Sequence, residues 1–106
     1  MTYVFDLDGT LCTLVSGNYV DACPLVENIK RVNDLYNDGH TIIIYTARGM
    51  GRSSNNSQFA NENFYNLTAN QLEKWNIKYH ELFLGKPSGD YYIDDKALKA
   101  EDFFGN

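Results

Sequence analysis

The sequence has little of several features that mark specialised proteins. Its 106 residues include only 2 Cys and 2 Pro, and no low-complexity tract interrupts them, which excludes fibrous and linker-like chains. Two cysteines are too few for a disulfide framework, and Cys12 and Cys23 have no metal-type spacing with His40 or His80. We therefore expect two reduced thiols and no zinc site.

Long apolar runs and an excess of positive charge are also absent. No apolar run approaches the roughly 20 residues that span a bilayer, and the first residues, MTYVFD, have neither the basic nor the apolar region of a secretory signal. We expect a cytoplasmic protein with no membrane partner. The formal net charge of −5 and the lack of a basic stripe argue against a nucleic-acid partner.

The residues that are present are typical of a globular domain. Hydrophobic residues make up 43% of the chain, and its 8 Tyr, 6 Phe and 1 Trp can form a substantial core. The length fits one domain over residues 1–106 and is too short for two.

Strand-like and helical segments alternate along the chain. Apolar and β-branched runs predict strands at 2–6, 41–45, 79–84 and 91–93, and helical periodicity predicts helices at 24–38, 61–76 and 97–104. This alternation predicts parallel β-α-β units in a three-layer α/β/α sandwich with a parallel central sheet.

Polar and charged residues follow the predicted strands, at the edge where such sheets bind ligands. They are Asp6 and Asp8, Thr46, Lys86, and the pair Asp94 and Asp95. Carboxylates brought together repel unless a cation lies between them, and Mg²⁺ prefers such oxygen ligands. A lysine and a threonine hydroxyl suit phosphate oxygens. The pattern therefore indicates phosphoryl transfer.

The order of these motifs resembles the haloacid dehalogenase (HAD) phosphatase superfamily. The resemblance rests on FDLDGTL, the strand ending in Thr46, Lys86 and the acidic pair in YYIDDKA, and it covers almost the whole chain. It implies a HAD-like (Rossmannoid) fold, with Asp6 as the nucleophile that forms an aspartyl-phosphate and Asp8 as the acid and base.

The resemblance also implies the remaining site residues. Mg²⁺ would be held by the Asp6 and Asp94 carboxylates and the Asp8 carbonyl, with Asp95 orienting a metal-bound water or the lysine. Thr46 and Lys86 would bind the transferring phosphoryl group. The other phosphate or substrate contacts would be Gly9, Ala47 and Arg48.

Simpler interpretations of the same residues remain open. The DxDG segment alone is also found in calcium-type loops and Asx turns. Asp94 and Asp95 could be solvated charges at a strand end, and Lys86 an ordinary surface lysine. Arg48 could form a structural salt bridge in place of a substrate contact.

The spacing leaves no room for a folded cap domain. About 40 residues separate Asp6 from Thr46, and about 40 more precede Lys86, so we expect a capless enzyme. The open site would take its specificity from loops, from a neighbouring subunit in a homo-oligomer, or from a large substrate. The candidate loops are 14–21, with Tyr19 beside a ligand, and 49–61, with Arg52 near a second anion; a plain hairpin and a mobile loop are the alternatives.

The substrate is expected to be small and phosphorylated. The segments TARGM, QLEKWNIKY and GKPSGDYYIDDKA are similar to capless HAD proteins of capsular polysaccharide biosynthesis, which implies a sugar phosphate or nucleotide-sugar intermediate. A nucleotide or polynucleotide-end phosphatase is the alternative enzyme. A regulatory module that binds phosphate or metal without turnover is the alternative of another class.

Overall fold

The computed structural model describes residues 1–105, which form a small α/β domain around a three-stranded parallel sheet. The radius of gyration of its Cα atoms is 13.3 Å. In chain order the elements are β1 (Thr2–Phe5), α1 (Val26–Asn37), β2 (Thr41–Thr46), α2 (Ser57–Lys74), β3 (Glu81–Leu84) and α3 (Ala100–Phe104). Single 3-10 turns lie at Tyr19–Asp21 and Gly51–Ser53.

The sheet has the order β1-β2-β3, and both strand pairs are parallel. Phe5 pairs with Ile44, and Thr46 pairs with Leu84. The carboxyl ends of the three strands therefore meet at one edge. This arrangement confirms the predicted parallel α/β domain and is consistent with a three-layer sandwich.

The core forms where apolar side chains of the strands meet those of the helices. Ile42 and Ile44 of β2 are fully buried, as are Val32 of α1 and Leu72 of α2. Alternate residues of the strands face the other way, and Phe83 of β3 is half exposed there. Burial of one such aliphatic side chain stabilises the fold by about 1.5–3 kcal/mol.

The second helix begins earlier than its periodicity predicts. The Asn56 side chain accepts a hydrogen bond from the Phe59 amide at 3.0 Å, which caps the helix at Ser57. The predicted long loop over 49–61 is therefore shorter, with the Gly51–Ser53 turn followed by two residues of left-handed backbone, Ser54 and Asn55.

The predicted strand over 91–93 is wrong. The segment between β3 and α3 has no regular structure, and Ile93 is 99% exposed. The Tyr92 hydroxyl donates to the Pro87 carbonyl at 2.6 Å and accepts from the Gly89 amide at 3.2 Å. These bonds fold the segment back on itself, and β3 remains an edge strand of the described sheet.

The final helix packs against the first strand. Phe103 and Phe104 lie with their ring centroids 5.6 and 6.0 Å from that of Phe5. No helix within residues 1–105 combines the length and the apolar character that crossing a membrane requires.

Candidate active site

A cavity of about 270 Å³ opens at the carboxyl edge of the sheet. It brings together residues from all three strand ends, from the segment that follows β1, and from the turn that follows β3. Its lining consists of Asp6, Asp8, Leu14, Val15, Tyr19, Thr46, Ala47, Arg48, Lys86 and Tyr92. Six of the predicted site residues are therefore in this one place: Asp6, Asp8, Thr46, Ala47, Arg48 and Lys86.

Asp6 directly follows β1 and is the more accessible of the two carboxylates in the cavity. Its side chain is 36% exposed, against 18% for Asp8. The Thr10 hydroxyl donates to one of its oxygens at 3.3 Å, and Lys86 Nζ donates to the other at 3.4 Å. Both hydrogen bonds are long and therefore weak, so they orient the Asp6 carboxylate and leave its oxygens accessible to a ligand.

Lys86 lies opposite Asp6 because two contacts hold it there. Its backbone amide donates to the Thr46 carbonyl at 3.2 Å, which extends the parallel pairing beyond β3. Its Nζ lies 4.4 Å from the centroid of the Tyr92 ring, within cation–π range. The ammonium group is thereby placed at the cavity wall, beside the carboxylate.

Thr46 ends β2 and is almost completely buried. Its hydroxyl oxygen accepts a hydrogen bond from the Arg48 amide at 3.2 Å. The hydroxyl proton remains available for a phosphoryl oxygen, while Ala47 lines the cavity next to it.

Arg48 lines the cavity, and its side chain forms the salt bridge that was the alternative to a substrate contact. Its guanidinium is fully buried, and its Nε and Nη2 atoms pair with the two oxygens of Asp8 at 2.9 and 3.0 Å. The remaining hydrogen bonds go to Cys12 Sγ, Thr68 Oγ1 and Gln71 Oε1. All five guanidinium N–H groups are thereby used.

Cys12 completes the surroundings of Asp8. Its thiol donates to Asp8 Oδ1 at 3.3 Å. Burial, reinforced by the negative charge of Asp8, raises the pKa of the Cys12 thiol to about 12. The thiol is therefore protonated at neutral pH and is not a nucleophile.

Gly9 does not contact the cavity, contrary to prediction. Its φ of +85° permits the turn that follows Asp8. Its amide donates to the Cys12 carbonyl at 2.8 Å, and the next two amides, of Thr10 and Leu11, donate to the Leu7 carbonyl. Gly9 shapes the turn, and its N–H is not directed at a ligand.

Asp94 and Asp95 lie outside the cavity. Both side chains are exposed in the segment that does not form a fourth strand. A hydrogen bond from the Lys96 amide to Asp94 Oδ1, at 3.0 Å, lowers the pKa of Asp94. The structure does not bring this pair to Asp6 and Asp8.

The predicted magnesium set is therefore not assembled among the described residues. Within residues 1–105 no three His, Cys, Asp or Glu side chains form a group that could hold a metal ion. Of the two predicted carboxylate ligands, Asp6 lines the cavity and Asp94 does not. The side chains as they stand do not fit a three-ligand magnesium centre.

The segment over residues 14–21, which we call the flap, covers one side of the cavity. Tyr19 fastens it: the Tyr19 hydroxyl accepts from the Gly49 amide at 2.9 Å, and its carbonyl accepts from Gln71 Nε2 at 2.7 Å. Arg52 donates to the Gly17 carbonyl at 3.0 Å and lies 5.1 Å from the Tyr19 ring. Arg52 thus serves the flap, in a role that the loop pattern did not predict.

Sequence reasoning missed two groups of site residues. Tyr92 lines the cavity, but an aromatic residue in a loop carries no chemical signature, whereas Leu14 and Val15 belong to the predicted candidate loop 14–21. Thr68 and Gln71 are the buried partners of Arg48 on α2. Their spacing of three places them on one helix face, which is the one signal that could have identified them.

Comparison with known proteins adds a structural likeness. No family model matches the chain, and no curated protein matches it. A solved structure of a structural-genomics target from Vibrio cholerae is similar, with a TM-score of 0.90 and 29% sequence identity over 99% of this chain and 88% of the other. Its name states no function, so the likeness supports the α/β architecture alone.

Proposed function

We propose that the protein is a phosphatase that hydrolyses a small phosphate monoester through an aspartyl-phosphate on Asp6. The observation that carries the proposal is the pairing of an accessible Asp6 carboxylate with Lys86, beside Thr46, in one open cavity. A carboxylate can attack phosphorus while an ammonium and a hydroxyl stabilise the phosphoryl oxygens.

The chemistry requires two displacements. An Asp6 oxygen bonds to phosphorus as the bond from phosphorus to the leaving oxygen breaks. The leaving oxygen takes up a proton. Water then attacks phosphorus and releases phosphate, which regenerates the Asp6 carboxylate. Asp8, at the same cavity, is the residue assigned to proton exchange in both steps.

The net charge of the chain favours a small substrate over a polynucleotide. A charge of −5 disfavours a polyanionic polymer, and a cavity of about 270 Å³ can accept the phosphate end of a sugar phosphate. Together with the resemblance to capless HAD phosphatases, this supports a sugar phosphate of polysaccharide synthesis. A magnesium requirement is supported by that resemblance alone, since Asp94 lies outside the cavity, and comparing phosphate release in Mg²⁺ and in EDTA tests it.

The test is phosphate release from p-nitrophenyl phosphate, sugar phosphates and nucleoside monophosphates, with Mg²⁺ or EDTA. We expect Asp6→Asn to lower turnover on the order of 10³-fold or more, since it removes the nucleophile. Asp34→Asn, an exposed carboxylate on α1, is the matched control. Release that survives Asp6→Asn would contradict the mechanism, and release unaffected by EDTA would contradict the metal requirement.

A phosphate-binding module without turnover is the second candidate, because Arg48 occupies both oxygens of Asp8. It predicts that inorganic phosphate binds in a Lys86-dependent manner while no ester on the panel is hydrolysed.

A further inference from the structure

Arg48 makes more hydrogen bonds than it needs to neutralise one carboxylate. A single ion pair needs two of its N–H groups, yet the other three are also bonded, to Cys12, Thr68 and Gln71. A guanidinium bonded on every side has one orientation. The Asp8 carboxylate pairs with Nε and Nη2 of this guanidinium, so its orientation is fixed as well.

The same guanidinium joins the flap to the cavity wall. Its Cζ lies 4.7 Å from the centroid of the Tyr19 ring. Gln71 bonds to Arg48 through its carbonyl oxygen and to the Tyr19 carbonyl through its amide nitrogen. The position of the flap and that of the Asp8 carboxylate thus depend on one side chain.

We propose that Arg48 is a positioning residue for the phosphatase reaction, acting through Asp8. It holds the Asp8 carboxylate at the cavity wall. There that group takes a proton from the water that hydrolyses the aspartyl-phosphate, and in the next turnover it passes this proton to the leaving oxygen while Asp6 bonds to phosphorus. This inference rests on the proposed function. Arg48 itself contacts neither phosphate nor leaving group.

The choice of leaving group separates positioning from a merely structural role. A sugar alkoxide is a poor leaving group and needs a proton as the bond to phosphorus breaks, whereas p-nitrophenolate does not. Impairing proton transfer therefore lowers kcat/KM for a sugar phosphate more than for p-nitrophenyl phosphate. A loss of folded protein lowers both by the same factor.

The decisive variants are Arg48→Lys, Asp8→Asn and the double variant. We expect Arg48→Lys to lower the ratio of kcat/KM for the sugar phosphate to that for p-nitrophenyl phosphate about tenfold, in the same direction as Asp8→Asn. Because Arg48 acts through Asp8, adding Arg48→Lys to Asp8→Asn should change this ratio by less than about twofold.

Gln71→Met provides a second test if Arg48→Lys does not fold. It removes the Gln71 bonds to Arg48 and Tyr19 while keeping the guanidinium. We expect it to lower the same ratio, by a smaller factor than Arg48→Lys. Gln58→Met makes the same change at an exposed position of the same helix and should leave the ratio unchanged.

The outcomes are distinct. Equal losses on both esters in Arg48→Lys and Gln71→Met would overturn the positioning role and leave the phosphatase intact. If the ratio of kcat/KM for the sugar phosphate to that for p-nitrophenyl phosphate is lower in the double variant than in Asp8→Asn, Arg48 does not act through Asp8. The absence of release from the wild type on either ester would overturn the proposed function and the positioning role together.

Discussion

At the scale of single residues, burial separates groups that look alike in the sequence. Asp6 and Asp8 belong to one motif, yet Asp6 meets the cavity with weak partners and Asp8 is paired on both oxygens. The two cysteines diverge in the same way, because Cys12 is buried against Asp8 and Cys23 is exposed. Sequence spacing predicts that these residues are near one another, but it does not predict which of them water can reach.

The two thiols are expected to react differently with iodoacetamide. In the native protein at about pH 9 only Cys23 should be modified, because Cys12 is buried and its pKa is about 12. A Cys23→Ser variant should therefore resist labelling until urea is added. Mass spectrometry measures this, and rapid native labelling of Cys23→Ser would contradict the buried position of Cys12.

The raised pKa of Cys12 also makes the free energy of unfolding depend on pH. An unfolded Cys12 loses its proton near its ordinary pKa of 9.0, whereas the folded thiol keeps it to about 12. Above pH 9 the unfolded state therefore binds fewer protons, and the free energy of unfolding falls as the pH rises towards 12. Replacing Cys12 by Ala should make this fall shallower in urea titrations.

At the scale of elements, helices and strands with long-range partners were predictable and the last strand was not. The apolar run of β2 and the helical period of α1 follow directly from the sequence, and both elements lie where predicted to within two residues. The YYI run has strand-forming residues, but the bonds of Tyr92 to Pro87 and Gly89 hold it in a turn. Side-chain bonds of this kind cannot be predicted from β-propensity.

Gly49, between β2 and α2, provides a test of how closely these elements pack. A Cβ at Gly49 would lie 2.6 Å from Phe64 Cδ2 and 3.1 Å from Ala60 Cα, and the residue has a φ of +79°. We expect Gly49→Ala to lower the free energy of unfolding by about 2–4 kcal/mol, from left-handed strain plus steric overlap. Urea denaturation measures it.

Gly39→Ala is the matched control for this change. Gly39 has a φ of +93°, but no atom lies within 4 Å of the point that an added Cβ would occupy. The substitution should therefore cost only the backbone strain, about 1 kcal/mol. Equal decreases in the free energy of unfolding in the two variants would show that α2 shifts to accommodate the added methyl group.

At the scale of the whole molecule, one core holds both ends of the described chain. Phe103 of α3 contacts Tyr3 and Phe5 of β1, and Arg31 of α1 lies 5.2 Å from the Phe103 ring. The parallel sheet that joins the elements was predictable from their alternation. The position of Asp94 was not, because it depends on a strand that the chain does not form.

Phe103→Ala is expected to loosen the whole domain. Phe103 is partly buried, so its truncation should lower the free energy of unfolding by about 1–3 kcal/mol. Leu98→Ala, at an exposed position just before α3, should change it by less than about 0.5 kcal/mol. A loss in both variants would indicate that the segment before α3 also contributes to the core.

The cavity draws on residues at positions 6, 46 and 86, each delivered by a different strand. No contiguous half of the chain contains all three, so the site has no local precursor. Each parallel pairing must first close a long loop through a helix, which makes strand association slow relative to helix formation. During synthesis the chain cannot complete this cavity until β3 has emerged and paired. In a refolding experiment, activity or ligand binding at the cavity should therefore return only when the last pair of strands has associated. The helical circular-dichroism signal should return earlier.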